Sequence, residues 1–142
     1  MTRVDFYLLN DRKSGNREQF SCRLAEKAFR LGHRIFLHTD QTDTARRLDE
    51  MLWTFRDISF VPHALAENSG DSERAPVLLG SGQEPEGEFD LLINLDHEVP
   101  VFFSRFERVA ELVGPDEDSR AKARERYRFY RDRGYPMETH EL

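Results

Sequence analysis

At 142 residues the chain has the length of one domain with one well-buried core, and it belongs to neither the membrane nor the disulfide-rich class. Apolar residues make up 38% and charged residues 34%, and the eleven Phe, four Tyr and one Trp are more bulky side chains than a disordered sequence of this charge carries. The net charge of −6 argues against a general nucleic-acid binder, and the lone Cys22 excludes an internal disulfide and a cysteine-based zinc cage.

The N-terminus runs straight into an apolar stretch carrying Asp5, with no basic start, long apolar core or cleavage site of a signal peptide. No apolar run approaches the roughly 20 residues of a spanning helix, so a cytoplasmic location is expected. Val4 to Leu9 reads as a first strand, short and largely apolar, as in a buried α/β sheet. Asn10 to Gly15 is a polar loop. Asn16 is a suitable N-cap, with Gln19 three residues on, and Phe20, Leu24, Ala28 and Leu31 share one helical face. Gly32 ends that helix. Arg34 to His38 reads as a second strand, and Asp40 is placed to cap a second helix with Ala45, Leu48 and Leu52 on one side.

Ile58 to His63 is apolar and extended, but Pro62 cannot donate a ladder hydrogen bond, so a sheet edge is expected there. Polar loops at 67–74 and 80–88 flank a short strand at Pro76 to Leu79, and Leu91 to Leu95 reads as a buried strand. Pro100 suits the first turn of a third helix, with Phe103, Phe106, Val109 or Ala110, and Val113 as its stripe and Gly114-Pro115 as its stop. A fourth helix is expected from about Asp118 to Arg133, ended by Gly134 and Pro136. Alternating strands and helices imply one three-layer α/β domain over residues 1–142, built on a mostly parallel sheet.

No catalytic, metal or cofactor site is expected. The loop after the first strand has a single glycine, Gly15, where a dinucleotide site needs three. Gly80, Gly82 and Gly87 come with Glu84, Glu86 and Glu88, which repel phosphate. None of the five histidines has a second ligand at helical metal-site spacing, and there is no nucleophile elbow.

Two features rise above this background. Between Ser119 and Arg133, seven basic residues face two acidic ones, a local +5 that leaves −11 on the rest of the chain. At about 100° per residue Arg120, Arg124, Arg128 and Arg131 fall in one arc with Tyr127 at its margin, beside a packing stripe of Ala123, Tyr127 and Tyr130. Four aligned guanidinium groups repel one another, and the helix dipole favours only those near the C-terminal end, so recognition of an anion or an acidic peptide is the better account. The second feature is an aromatic cluster, Trp53, Phe55 and Phe60, running through Val61 and Pro62 to Leu65, which suits either a core or an interface.

At these same residues the chain resembles the DNA polymerase III chi subunit family. The matching stretches are Phe6 to Leu9, Arg47 to Trp53, Phe60 to Leu65, Ala75 to Val77 and, above all, Ala123 to Arg131, in order along nearly the whole chain. The resemblance implies a non-catalytic scaffold of nucleotide-binding-like topology without a nucleotide site. It also implies two partners: the psi subunit, which ties it to the clamp loader, and the acidic C-terminal tail of single-stranded DNA-binding protein, which ends in Ile-Pro-Phe. Carried over by the resemblance, the tail site comprises Val113, Arg120, Arg124, Tyr127 and Arg128, joined by Leu112 and Arg131. Arg124 would hold the terminal carboxylate by paired charge-assisted bonds, and Leu112, Val113 and Tyr127 would wall a pocket for the Phe ring. Arg120, Arg128 and Arg131 would face the acidic run. The psi face carries over to Trp53, Phe60, Pro62 and Leu65. The alternatives are a single-stranded nucleic-acid-binding module using the arginine helix, or a small α/β nucleotide-processing enzyme.

Overall fold

The computed structural model describes residues 1–54, 62–66, 75–85 and 87–142. Its strands are β1 (Arg3–Leu8), β2 (Ile35–Thr39), β3 (His63–Leu65), β4 (Val77–Ser81), β5 (Leu91–Asn94), β6 (Arg108–Val113) and β7 (Met137–Glu141). They form one sheet in the order β3-β4-β2-β5-β6-β1-β7, with every paired neighbour parallel. The helices are a single turn α1 (Asp11–Ser14), then α2 (Arg17–Arg30), α3 (Thr42–Thr54) and α4 (Glu117–Asp132).

Parallel strands require crossovers that cover the faces of the sheet, so central strands must be apolar on both sides. That is the pattern in β2, whose five residues are all buried. On one face, Cys22 and Ala25 of α2 and Leu48 and Leu52 of α3 pack on Leu37, Leu79, Ile93 and Leu112. On the other, Ala123 and Tyr130 of α4 pack with Phe6, Phe36, Leu92, Phe103 and Val113. The result is the three-layer α/β architecture expected from the sequence. Gly80 belongs to this packing, because a Cβ there would run into the Phe36 ring.

The N-terminus of α2 follows the sequence closely. Asn16 Oδ1 accepts from the Gln19 amide at 2.8 Å, and Gln19 Oε1 accepts from the Asn16 amide at 3.0 Å, a complete capping box. Past the helix, Gly32 takes φ 86°, the left-handed conformation that only glycine adopts readily. β3 lies at one edge of the sheet immediately after Pro62, where a missing backbone donor costs no ladder bond. The rest of the expected strand at 58–63 lies outside the described residues, as does the loop at 67–74.

Four expectations need correction. The segment from Pro100 to Val113 is not a helix: a 3-10 turn at Phe103–Arg105 leads into β6. The turn brings Phe103 and Phe106 into one core, which imitates helical spacing, while Val109 to Val113 are buried on both sides as an interior strand requires. Gly114-Pro115 therefore ends a strand. Asp40 does not cap α3, which starts at Thr42; the Ala45 amide bonds the Gln41 carbonyl, placing the cap at Gln41. The loop after β1 contains the helical turn α1, capped by Asn10, whose Oδ1 accepts from the Arg12 amide. Beyond Pro136 the chain adds β7, a polar edge strand held by backbone pairing to β1.

Candidate functional site

The rotation of α4 about its axis is set by a buried polar network. Glu111 is the single carboxylate of β6, and none of its surface is exposed. Its oxygens accept from Arg126 Nε at 3.0 Å, Tyr130 Oη at 2.6 Å and Asn94 Nδ2 at 3.0 and 3.1 Å. Arg126, 4% exposed, also donates to the His97 carbonyl at 2.9 Å. Burial holds the Glu111 carboxyl above its ordinary range, and the Arg126 charge and the three donors offset only part of that rise. In the sequence Arg126 enters only the local charge of this segment, outside the arc of Arg120, Arg124, Arg128 and Arg131. Its spacing, three residues from Ala123 and four from Tyr130, puts it on the packed stripe.

With Ala123, Arg126 and Tyr130 turned inward, Arg120, Arg124, Arg128 and Arg131 lie on the other side of α4. Asp116 caps the helix through the Ser119 amide at 3.0 Å. Arg120 is partly buried and donates to the carbonyls of Gly114 at 3.1 Å and Leu9 at 3.3 Å, which ties it to the ends of β6 and β1. Arg124 is 57% exposed and, among the described residues, pairs only with Glu117, itself 87% exposed, at 3.1 Å. Arg128 is exposed and makes no side-chain bond to a described residue, and Arg131 bonds its neighbour Asp132 at 3.3 Å. Tyr127 sits at the margin, its ring 5.7 Å from Phe6 and its surface 38% exposed. Exposed pairs such as Arg124 with Glu117 contribute about 0–1 kcal/mol, so the stripe is free to exchange them for a ligand.

The two aliphatic residues assigned to the same pocket are placed differently. Val113 ends β6 on the α4 side but is 1% exposed. Leu112 belongs to the core beneath α2 and α3, on the opposite face from Tyr127, and shares no wall with it.

The second candidate surface lies at the far edge of the sheet. Trp53 ends α3 with 59% of its surface exposed, and its ring meets His63 edge-on at 5.0 Å. His63 Nε2 lies 3.0 Å from the Asp49 carbonyl and 3.3 Å from its carboxylate, which ties β3 to α3. Pro62 and Leu65 are half-buried beside it. Phe55, Phe60 and Val61 lie outside the described residues. Four strand spacings separate β3 from β6, about 20 Å, so the two surfaces sit well apart, on helices from opposite layers.

At the first β–α connection, where a dinucleotide site would place its phosphates, the amides of Arg12 and Gln19 are already taken by Asn10 and Asn16. Asp5, Glu138 and His140 bring three ligand-type atoms within 4.8 Å of one another. Arg108 and Arg3 occupy these carboxylates at 2.7 and 2.6 Å, which makes the cluster an ion-pair network. Burial raises the Asp5 carboxyl, but the bonds from Arg108 and His140 outweigh it and hold it below the ordinary range.

His38 closes β2 with Nε2 3.3 Å from Asp96, its Nδ1 buried without a partner among the described residues and its ring against Phe102. Burial lowers its pKa from the ordinary 6.5, with Asp96 and Asp40 opposing. A depressed histidine resists a proton that the unfolded chain accepts, so its contribution is complete above the unfolded value and is lost as pH falls toward the folded one. The thermal midpoint is therefore expected to drop between about pH 7.5 and about pH 5.5, and His38→Gln is expected to reduce that drop. An equal drop in the variant would place the acid sensitivity elsewhere.

In class, this is a three-layer α/β protein with an outward stripe of guanidinium groups and an exposed tryptophan edge. The family model of the DNA polymerase III chi subunit, HolC, matches residues 1–138. The chain is 47% identical to the DNA polymerase III subunit chi of Pseudomonas aeruginosa, over 100% of this chain and 98% of the relative. It is 33% identical to that of Escherichia coli K12, over 98% and 97%, and 31% identical to that of Haemophilus influenzae, over 96% and 94%. The chain belongs to the DNA polymerase III chi subunit family, and its place is that of an accessory subunit in DNA replication. Among the described residues, no helix is long and apolar enough to cross a membrane.

Proposed function

We propose that the protein is a non-catalytic cytoplasmic adaptor, a single domain over residues 1–142, that links the clamp loader to single-stranded DNA-binding protein. The observation that carries this reading is the exposed arginine face of α4, whose pairs with Glu117 and Asp132 are solvent-facing. Arg124 and Arg128 are exposed with at most one solvent-facing carboxylate between them, on a helix whose rotation is set by a buried network. A terminal carboxylate suits Arg124, because a guanidinium can hold it by two parallel bonds. The half-exposed Tyr127 gives an aromatic flank for an apolar terminal side chain, and Arg120, Arg128 and Arg131 would receive the acidic residues before it.

The test is fluorescence anisotropy of a labelled acidic peptide ending in Asp-Ile-Pro-Phe, titrated with the protein at two salt concentrations. Saturable, salt-weakened binding that requires the final Phe is expected. No binding at low salt to folded protein would sink the reading. Salt-dependent binding of single-stranded DNA instead would favour a nucleic-acid module.

The psi subunit is proposed to dock at the opposite edge, around Trp53, with Pro62, Leu65 and Phe60. Exposed tryptophans are frequent interface anchors, and this one stands apart from α4, so both partners can bind together. Trp53→Ala is expected to cost about 2 kcal/mol or more of psi affinity while leaving acidic-peptide binding unchanged, as calorimetric titration of the two ligands would show.

A further inference from the structure

On the side of the sheet covered by α2 and α3, α2 meets β1 through Phe20 and Tyr7, whose rings lie 5.4 Å apart. The flank of α2 and the surface of β1 there enclose two adjoining depressions. The larger, about 470 Å³, is walled by Tyr7, Phe20, Leu24 and Leu142 and rimmed by Lys13, Arg23 and Lys27. The smaller, about 170 Å³, continues past Tyr7, Leu24 and Lys27 toward Leu31 and His33. Together they follow α2 from Phe20 to Leu31, a length of about 17 Å at 1.5 Å per residue. An extended chain of about five residues spans that distance.

The charges are one-sided where the trough is widest. Lys13, Arg23 and Lys27 are exposed, and none of them makes an ion pair or side-chain hydrogen bond with a described residue. Among the described residues no Asp or Glu side chain lines that depression, whose remaining wall is Leu142. Elsewhere in this acidic chain, cations such as Arg3, Arg47, Arg105 and Arg108 are each held by a carboxylate within 3.0 Å. The narrow end carries both signs: Arg108 pairs with Asp5 and His33 lies 3.8 Å from Asp90, while the exposed Glu107 makes no ion pair with a described residue. A ligand therefore meets apolar walls and positive charge at the wide end, and a mixed lining with Glu107 and Asp90 at the narrow end.

The aromatic geometry selects among anionic ligands. Tyr7 is stacked on His140 at 4.8 Å and packed by Phe20 at 5.4 Å, so its ring faces are taken and it offers no platform to a nucleic-acid base. The aliphatic surface of Leu24 and of Leu31, which is 68% exposed, suits side chains of a peptide. We propose that the trough between α2 and β1 docks an extended acidic segment of a partner protein, with Lys13, Arg23 and Lys27 taking its carboxylates and Leu- or Phe-type side chains filling the apolar floor. This surface lies on the opposite face of the sheet from α4 and does not depend on the reading of that helix.

The probe is a fluorescein-labelled peptide, Glu-Leu-Asp-Phe-Glu-Leu-Asp, with an amidated end, so that it lacks the terminal carboxylate proposed for Arg124. Saturable, salt-weakened anisotropy is expected, about tenfold weaker in Arg23→Glu combined with Lys27→Glu and unchanged in Arg124→Ala. Both reversed residues are exposed, and circular dichroism checks the fold; should that pair unfold, Lys13→Glu with Lys27→Gln replaces it. Absence of binding at low salt would overturn the proposal, as would binding lost in Arg124→Ala but kept in the α2 variant. Displacement of the peptide by a single-stranded oligonucleotide whose own binding is lost in the α2 variant would overturn it in favour of nucleic acid.

Discussion

Replacing Arg124 with alanine is expected to weaken binding of the acidic Asp-Ile-Pro-Phe peptide by about 2–4 kcal/mol, the cost of removing one member of a charge-assisted pair. The fold is expected to survive. The side chain is 57% exposed, and its single partner among the described residues is Glu117, which is more exposed still and keeps water when the guanidinium goes. Loss of an exposed pair moves stability by about 0–1 kcal/mol, so the variant should melt close to the parent while its affinity falls by a far larger factor. Arg124→Lys separates charge from geometry. A lysine keeps the long-range attraction but cannot make two parallel bonds to one carboxylate, so it should recover association rate more than residence time. Equal affinities for parent and Arg124→Ala would remove α4 as the tail site.

The largest effect on stability is expected at Arg126. It is 4% exposed, and truncation to alanine leaves the fully buried Glu111 carboxylate without its cation. Breaking one side of a buried pair costs about 3–5 kcal/mol, against a total stability of about 5–15 kcal/mol for a domain. Urea denaturation of Arg126→Ala should show that loss as a lower midpoint. The double variant Glu111→Leu with Arg126→Met is expected to recover part of it, because an apolar pair needs no desolvated charge. Recovery should stop short of the parent, since Asn94 Nδ2 and Tyr130 Oη would lose an acceptor, at about 1–3 kcal/mol for each group left unpaired. A loss below about 1 kcal/mol in Arg126→Ala would mean that the network carries little of the α4 packing. Peptide binding by the double variant is a sensitive readout of α4 orientation, because the arginine stripe moves with any rotation of the helix.

Local chemistry was sufficient for much of this molecule. Asn16 and Gln19 announce the start of α2, Gly32 its end, and the apolar runs at Val4, Ile35, Val77 and Leu91 are buried strands. The 100° periodicity that groups Arg120, Arg124 and Arg128 is a property of the helix alone. No tertiary information was needed to see a cationic stripe on an acidic chain.

The elements that escaped the sequence are those whose signal depends on what lies across the sheet. β6 reads as a helix because Glu111 interrupts its apolar run and because the turn at Phe103 imitates helical spacing. Only Arg126 and Tyr130 of α4 and Asn94 of β5, brought from two other elements, make that carboxylate tolerable inside a strand. β7 carries a polar sequence with little strand pattern, and it forms because β1 offers it an unpaired edge.

Spacing along one chain segment was enough for the fold class, the capping box and stop of α2, and the placing of cations on α4. The tertiary structure decided that Arg126 faces inward, that Leu112 lies on the far side of the sheet from Tyr127, and that Trp53 stands about four strands away from the arginines. These were settled by the alternation of side chains across a shared sheet and by the desolvation cost of a buried carboxylate, which act between segments far apart in the chain.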